Sequence, residues 1–463
     1  MNKKMRKWSM LVLVSNLAAA VPSPAQKQTP PEGAPAKAFT VPAHETYSLP
    51  NGLKVTLVPY GILPKVTVSA AVDAGGINEG MNHVGVASLT ADLLKEGTVM
   101  LTSEQLANEA ARMGSTLDVA GAADQTIAQL DVLSEFGPDA VRLLADVLQH
   151  PRLPESELAR LKNDMLRQIA VRNSSPQTIA LTRFRKILYG DHPYGVVLPS
   201  EADVKKITLQ DVKEYFNSNF SAQRSHIYVA GKFDVTAVKK AIADGFSHWP
   251  KGTVRVESVP SPKSHRILDV TDRQGAPQST LIVGLPVPPP NNPDSIALGV
   301  TNALLGGSFN SRITANIREQ KGYTYSPRSE ISRRYHDAYW AESADVTTQF
   351  TGASLKEIFA EIDRLKAEPP SDVELRGIQS YISGLFVIQN SSRGALIGQL
   401  QYVDFQGLGE DYLKTYVAKV NSVTPADVQK LTGQYIKPQE MTIVVVGDKS
   451  KITEQLAPYQ AGN

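Results

Sequence analysis

The sequence contains no cysteine, so disulfide bonds and thiolate metal sites are excluded. Its eight histidines include no pair three or four residues apart, the spacing that lets two imidazoles on one helix face share a metal ion. Aromatic residues make up only 7% of the chain, and its charged residues form no long block of one sign. No nucleic-acid partner and no disordered tail are therefore predicted. What remains is an ordinary globular composition, 42% hydrophobic, which can form a full core.

Also missing is an apolar run of the roughly 20 residues that a membrane-spanning helix needs. Residues 1–25 instead have the pattern of a secretory signal peptide, with four basic residues, a short apolar stretch, and small residues at Ala20 and Ala25. We therefore expect a periplasmic or secreted protein with no membrane span in the mature chain. The leader has four basic and no acidic residues, so its removal changes the formal net charge from +2 to −2.

The chain repeats itself. The segment T-L-Q-D-V-K-E-Y-F-N-S-N-F, which begins at Thr208, resembles T-P-A-D-V-Q-K-L-T-G-Q-Y-I, which begins at Thr424, and each is followed by an apolar strand that ends in glycine. Both threonines are predicted helix N-caps, with Asp211 and Asp427 in the first turn. Repetition at a constant offset indicates two homologous domains.

We predict an α+β protein made of two α/β sandwich domains of about 200 residues, each a mostly antiparallel sheet packed with helices. The predicted divisions are a signal peptide at 1–25, a Pro-rich tether at 26–40, an N-terminal domain at 41–250, a linker at 251–265 and a C-terminal domain at 266–463. The small-residue segment 116–122 is a candidate edge strand for pairing with a peptide, and an ordinary sheet edge is the alternative.

The most informative stretch is A-V-D-A-G-G-I-N-E at 71–79, followed by G-V-A-S-L-T-A-D-L-L-K-E-G-T at 85–98. It resembles the signature of the pitrilysin (insulinase) family of zinc peptidases, whose helix reads G-L-A-H-F-L-E-H-M-x-F-K-G-T. In that motif two histidines four residues apart bind zinc, and a glutamate is the general base. Here Ser88 and Asp92 stand at the ligand positions and Ala91 at the base position. A serine hydroxyl is a poor zinc ligand and alanine cannot take a proton, so no metal is expected on this chain.

The third zinc ligand of the family is a glutamate on a later helix. No glutamate occurs between Glu157 and Glu201, the region that the resemblance assigns to that helix.

A second match runs from Gly306 to Ser326, G-G-S-F-N-S-R-I-T-A-N-I-R-E-Q-K-G-Y-T-Y-S. It resembles the family's G-G-x-x-S-S-R-L-F-x-x-I-R-E-K-x-G-L-A-Y-S, in which an arginine and a tyrosine seven residues later reach the peptide at the zinc. They map onto Arg318 and Tyr325. An arginine fork and a neutral phenol can both donate to a developing oxyanion. The alternative is that Arg318 complements a helix C-terminus before Gly322 and Tyr325 packs in a strand.

In this family the active chamber needs two such two-domain halves. The resemblance therefore implies the zinc-free subunit of a heterodimeric metalloendopeptidase, inactive alone, with peptide substrates and a homologous partner that carries the zinc. Two alternatives stay open. The chain is a structural or peptide-binding protein that retains the fold without catalysis, or it is a homodimer with residual activity.

Overall fold

The protein is described by a computed structural model that covers residues 39–255, 258–409 and 411–460. The predicted signal peptide and nearly all of the predicted tether lie outside these residues. Within them, no helix combines the length and the apolar character needed to cross a membrane.

The first sheet has six strands in the order β1-β2-β6-β3-β5-β4. They are β1 (Glu45–Ser48), β2 (Lys54–Pro59), β3 (Lys65–Val72), β4 (Asp118–Gly121), β5 (Thr126–Leu133) and β6 (Ser225–Gly231). Only β2 and β6 pair in parallel. Both β3 and β6 are buried along nearly their whole length, as expected for central strands covered on both faces. Strand β4 pairs only with β5 and therefore lies at an edge of the sheet. This agrees with the prediction of an edge strand within segment 116–122.

The second sheet has five strands in the order β7-β11-β8-β10-β9. They are β7 (Ile267–Asp272), β8 (Gln278–Val287), β9 (Arg328–Arg334), β10 (Asp337–Thr347) and β11 (Thr442–Gly447). Again one pair, β7 with β11, is parallel and the others are antiparallel. The prediction of an α+β fold with two mostly antiparallel sheets is confirmed.

Helices cover both sheets. Those of the first half are α1 (Val86–Leu93), α2 (Ser103–Arg112), α3 (Gly137–Gln149), α4 (Glu155–Asn173), α5 (Pro176–Tyr189), α6 (Glu201–Lys206), α7 (Leu209–Asn219) and α8 (Val235–Phe246). Those of the second half are α9 (Ser295–Asn302), α10 (Arg312–Thr314), α11 (Thr351–Ala367), α12 (Asp372–Gln389), α13 (Arg393–Phe405), α14 (Tyr412–Ser422), α15 (Pro425–Tyr435) and α16 (Lys449–Leu456). Two π-helical segments, Ala303–Gly307 and Ala315–Gln320, continue α9 and α10.

The predicted N-caps of the repeat are confirmed. In both α7 and α15 the threonine hydroxyl accepts a hydrogen bond from the backbone N–H three residues on, at 3.2 Å. In return, Asp211 accepts from the backbone N–H of Thr208 at 2.7 Å, and Asp427 accepts from Thr424 at 2.9 Å. These reciprocal bonds satisfy backbone donors that the first helical turn leaves free. The same local chemistry therefore begins the equivalent helix in each half.

One helix of each half packs on the sheet of the other half. Helix α5, from the first half, packs on the second sheet through a cluster that includes Phe184 and Val444. Helix α13, from the second half, packs on the first sheet through a cluster that includes Leu396 and Tyr228. Both helices are also fixed by ion pairs, Arg183 to Asp269 at 2.7 Å and Arg393 to Asp131 at 3.0 Å. This exchange brings residues of the two halves together at one cavity.

Candidate functional site

Helix α1 carries the three substituted motif positions, and the structure shows what each side chain does. Ser88 is half-buried and lines a cavity of about 310 Å³. Ala91 is buried beneath β4, where a Cβ on Gly121 would lie 3.4 Å from the Ala91 Cβ. The Asp92 carboxylate accepts from Lys95 Nζ at 2.9 Å. Of the three side chains, only Ser88 therefore offers an uncommitted polar group to the cavity.

These residues do not fit a zinc ion. Helix α4, the predicted location of the third ligand, presents Met165 to α1, and its sulfur would lie 3.5 Å from a Cβ on Gly85. Within the described ranges there is no cluster of three or more His, Asp or Glu side chains arranged to hold a metal. Zinc prefers imidazole, thiolate and carboxylate ligands, and this position offers one hydroxyl and one lysine-paired carboxylate.

The turn before α1 contributes Glu79, which the sequence motif contains but to which no role was assigned. Its Oε1 accepts from the backbone N–H of Ala87 at 2.8 Å, so the carboxyl group caps the start of α1. Burial raises the pKa of Glu79 to about 7, although hydrogen bonds from the backbone of Ala87 and Gly85 act to lower it. A carboxyl group that is only partly ionised near neutral pH therefore borders the cavity.

Two arginines that sequence reasoning missed complete the cavity. Arg185 comes from α5 and Arg334 from the end of β9, and both line the cavity together with Tyr194 and Ser88. Residues 185 and 334 are far apart in the chain, and only the exchange of helices between the halves brings them together. In the sequence, Arg185 is an arginine beside the apolar face of a helix. An arginine on the protein surface has the same pattern, so the sequence did not mark Arg185 as functional.

The predicted pair Arg318 and Tyr325 is brought together. The guanidinium carbon of Arg318 lies 4.7 Å from the centre of the Tyr325 ring and 4.5 Å from that of Phe309. Both aromatic rings are largely exposed, at 77% for Tyr325 and 64% for Phe309. An arginine over aromatic faces at these distances makes a cation–π contact. We call these three residues the aromatic–arginine cluster.

The backbone around Arg318 explains its position. Arg318 lies in the π-helical segment, which ends where Gly322, at φ +65°, donates its N–H to the Arg318 carbonyl at 3.1 Å. The Arg318 Nε lies 2.9 Å from Glu319 Oε1. Within the described part of the chain, the Nη atoms of Arg318 donate no hydrogen bond. These atoms are therefore free to bind another group.

Tyr323 and Tyr325 have different environments, although only one residue separates them. Tyr323 stacks on Phe350 with ring centres 4.4 Å apart, whereas Tyr325 projects into solvent. The alternative in which Tyr325 packs in a strand is therefore wrong, since Tyr325 precedes β9 and is exposed. The aromatic–arginine cluster does not line the cavity beside Ser88, so the chain holds two separate candidate sites.

His192, an isolated histidine beside Pro193, has a structural role. Its Nδ1 accepts from the backbone N–H of Tyr194 at 3.2 Å, and its Nε2 lies 3.1 Å from Ser258 Oγ. Both ring nitrogens are therefore engaged in holding the loop that carries Tyr194 to the cavity.

Comparison with known proteins agrees with this fold. The profile of the insulinase family (peptidase family M16) matches residues 62–199, and that of the peptidase M16 inactive domain matches residues 206–381. An uncharacterized zinc protease of Mycobacterium tuberculosis is 26% identical over 79% of this chain and 82% of its own. A non-peptidase homolog of Helicobacter pylori is 22% identical over 84% of this chain and 90% of its own.

A crystal structure titled as a peptidase M16 inactive domain from Pseudomonas fluorescens superposes with a TM-score of 0.79 at 24% identity. It covers 87% of this chain and 98% of its own length, so the fold is shared over most of the chain. The relatives thus include a protein named zinc protease and one named non-peptidase homolog. On the two profile matches and this shared architecture, the chain belongs to the peptidase M16 (insulinase) family.

Proposed function

We propose that this chain is the zinc-free subunit of a two-subunit metalloendopeptidase. It binds peptide substrates and supplies Arg318 and Tyr325 to an active site whose zinc and general base come from a homologous partner subunit. The observation that carries the proposal is the aromatic–arginine cluster, in which an arginine with free Nη atoms is oriented by two exposed rings. Because both rings are exposed and the arginine has free donors, the cluster is suited to contact with another molecule.

The chemistry of the pair suits amide hydrolysis. Attack of water on a peptide carbonyl places negative charge on its oxygen, and donors held in advance at that position lower the barrier. Arg318 supplies a fixed positive charge with two forked donors, and Tyr325 supplies a hydroxyl donor. The rings of Phe309 and Tyr325 limit the motion of the guanidinium, which reduces the entropy lost on binding.

The need for a partner is supported by the separation of the two candidate sites. Helix α1 does not have the residues that would bind zinc, and the aromatic–arginine cluster does not line the cavity at α1. Only a second chain with an intact histidine motif would place the activated water beside Arg318 and Tyr325. The zinc of that partner would supply the water nucleophile at neutral pH.

The test is reconstitution. The mature chain is purified alone and mixed with a homologous protein that carries H-x-x-E-H, and cleavage of a quenched fluorescent peptide is measured. We expect chelator-sensitive cleavage from the mixture at a rate well above that of either chain alone. Chelator-sensitive cleavage by this chain alone would contradict the proposal and would favour the homodimer.

A second candidate function is that of a peptide-binding protein without any catalytic role. The relative named a non-peptidase homolog favours it. The two functions are separated by the same mixture, because a purely binding protein would leave the partner's turnover unchanged. The predicted leader at residues 1–25 is the reason to propose action in the periplasm or outside the cell, which cell fractionation would test.

A further inference from the structure

The cavity beside Ser88 contains a buried positive charge without a matching negative one. Arg185 is only 7% exposed, and its Nε donates to the carbonyl of Tyr194 at 2.7 Å. No carboxylate in the described ranges forms an ion pair with it. Burying an arginine without a counter-charge is costly, and arginine does not escape that cost by losing its proton. The arrangement is therefore suited to an anionic group from outside the chain.

Arg334 adds a second guanidinium from the other half of the protein. Its Nε is buried and has no hydrogen-bond partner within the described residues. The guanidinium carbon lies 5.7 Å from the centre of the Tyr194 ring. The pKa of Arg185 is lowered, mainly by burial and also by the nearby positive charge of Arg334. The two like charges at this cavity therefore repel each other. An anion bound between them would relieve both effects.

Three carboxyl groups on the surrounding segments each accept a hydrogen bond from a group other than Arg185. Asp337, which is paired with Arg334 across the β9–β10 register, accepts from Tyr189 Oη at 2.5 Å. The charge of Arg334 lowers the pKa of Asp337, but burial, the larger effect, raises it. Asp124 accepts from Tyr194 Oη at 2.5 Å. Glu79 lines the cavity but caps α1 and is only partly ionised near neutral pH. None of the three neutralises Arg185 directly.

The rest of the lining indicates which class of anion fits. The walls include Val84, Leu198 and Pro199, which would contact an apolar group. The end of the edge strand β4 and the residues after it, 121–123, form another side of the cavity. An extended peptide paired along the free edge of β4 would thus meet the cavity at one end. A carboxylate joined to a peptide backbone uses both the charge and the apolar walls, whereas a bare inorganic anion uses only the charge.

We propose that this cavity, beside the substituted motif position Ser88, is a binding site for a carboxylate group of a peptide. Arg185 and Arg334 supply the positive charge, and Ser88 supplies a hydroxyl donor. The carboxylate is either the free C-terminus of the peptide or an acidic side chain. The choice of a peptide rests on the proposed function, but the site itself requires neither the partner subunit nor Arg318.

The test is calorimetric titration of the purified mature chain, without a partner, using four probes. They are acetyl-trialanine as the free acid, the same peptide as the C-terminal amide, an acetyl-Ala-Glu-Ala amide, and inorganic phosphate. We expect at least one of the two acidic peptides to bind and the neutral amide to bind at least roughly tenfold more weakly. The tighter acid identifies the source of the carboxylate. Equal binding of acid and amide overturns the proposal, and so does phosphate binding as tightly as the better acid.

Matched variants locate the site. Arg334→Gln is expected to weaken binding of the acidic peptide by roughly 10- to 100-fold, the range for one charged hydrogen-bond partner. The control is Arg333→Gln, the neighbouring residue on β9, which is exposed and lines a different cavity. Equal weakening by both substitutions would indicate general charge attraction and overturn the proposal.

If Arg334→Gln fails to fold, a variant that fills the cavity replaces it. Ser88→Leu is expected to abolish binding, whereas Ser88→Ala is expected to weaken it only a few-fold. Unchanged binding by Ser88→Leu would overturn the proposal. Because the titration uses the chain alone, carboxylate binding without cleavage in the reconstituted mixture counts against the proposed function and not against this site. Cleavage in the mixture without carboxylate binding by the chain alone counts against this site and not against the proposed function.

Discussion

The guanidinium of Arg318 lies 4.7 Å from the ring of Tyr325, the tyrosine seven residues later in the chain. Gly322 makes this contact possible, since its left-handed backbone ends the helix between them and lets the chain turn back. The two donors that the proposed mechanism requires are therefore adjacent before any partner binds.

Replacing Arg318 tests the proposed catalytic role. In the reconstituted mixture, Arg318→Ala is expected to lower turnover by roughly 10²- to 10³-fold, the effect of losing one oxyanion donor. Arg376→Ala is the matched control, because Arg376 is an exposed arginine on α12 of the same half. The measurement is the cleavage rate at saturating peptide. An unchanged rate for Arg318→Ala would remove this residue from the site.

Phe309 is expected to act through Arg318. Phe309→Ala removes one of the two rings under the guanidinium, so kcat/KM is expected to fall by roughly 2- to 5-fold, as for an exposed cation–π contact. The melting temperature should not change, because the ring is 64% exposed. In the Arg318→Ala background the same substitution should have no further effect on kcat/KM. An equal effect in both backgrounds would mean that Phe309 acts independently of Arg318.

Gly284 of β8 tests the packing of the exchanged helix α5. A Cβ at this position would lie 2.4 Å from the carbonyl oxygen of Trp340 and 2.8 Å from Cζ of Phe184. Gly284→Ala is therefore expected to lower the free energy of unfolding by about 1–3 kcal/mol. The control is Gly377→Ala in α12, where the new Cβ has no atom within 4 Å apart from its chain neighbours and the backbone of its own helix.

Gly377→Ala should stabilise the protein by up to about 1 kcal/mol, since alanine favours a helix. Both variants are compared by urea denaturation. Similar stability of the two would mean that α5 does not need the close approach at Gly284.

Glu79 should make stability depend on pH. Its folded pKa of about 7 is above the ordinary value of 4.5, so its contribution to stability is complete below pH 4.5 and is lost as the pH rises through 7. Glu79→Gln has no such charge to bury. At pH 8 it should be more stable than the parent chain by on the order of 2 kcal/mol, with a much smaller difference at pH 5.

The measurement for Glu79 is the free energy of unfolding by urea at the two pH values. Glu454→Gln, at an exposed position on α16, serves as the control for loss of one acidic side chain. The same stability difference at pH 5 and pH 8 would show that Glu79 keeps an ordinary pKa.

Much of the fold could be predicted because its signals are local. The apolar pattern of the sequence predicts a strand at Lys54–Pro59, where β2 lies, and another that begins at Gln278, where β8 begins. Alternating or continuous apolar residues bounded by turn residues predict strands without knowledge of their neighbours. The exchange of α5 and α13 could not be predicted, since an apolar helix face has the same pattern whichever sheet it covers.

The sequence by itself determined the two-fold repeat, the helix starts at Thr208 and Thr424, and the substitutions at Ser88, Ala91 and Asp92. Each of these depends on residues only a few positions apart, or on residue identity alone. Tertiary structure alone decided that Tyr325 is exposed while Tyr323 is packed, and that Arg185 and Arg334 meet at one cavity. The physical reason is that burial and charge pairing depend on which distant segments are adjacent, and packing of the two halves against each other sets that adjacency.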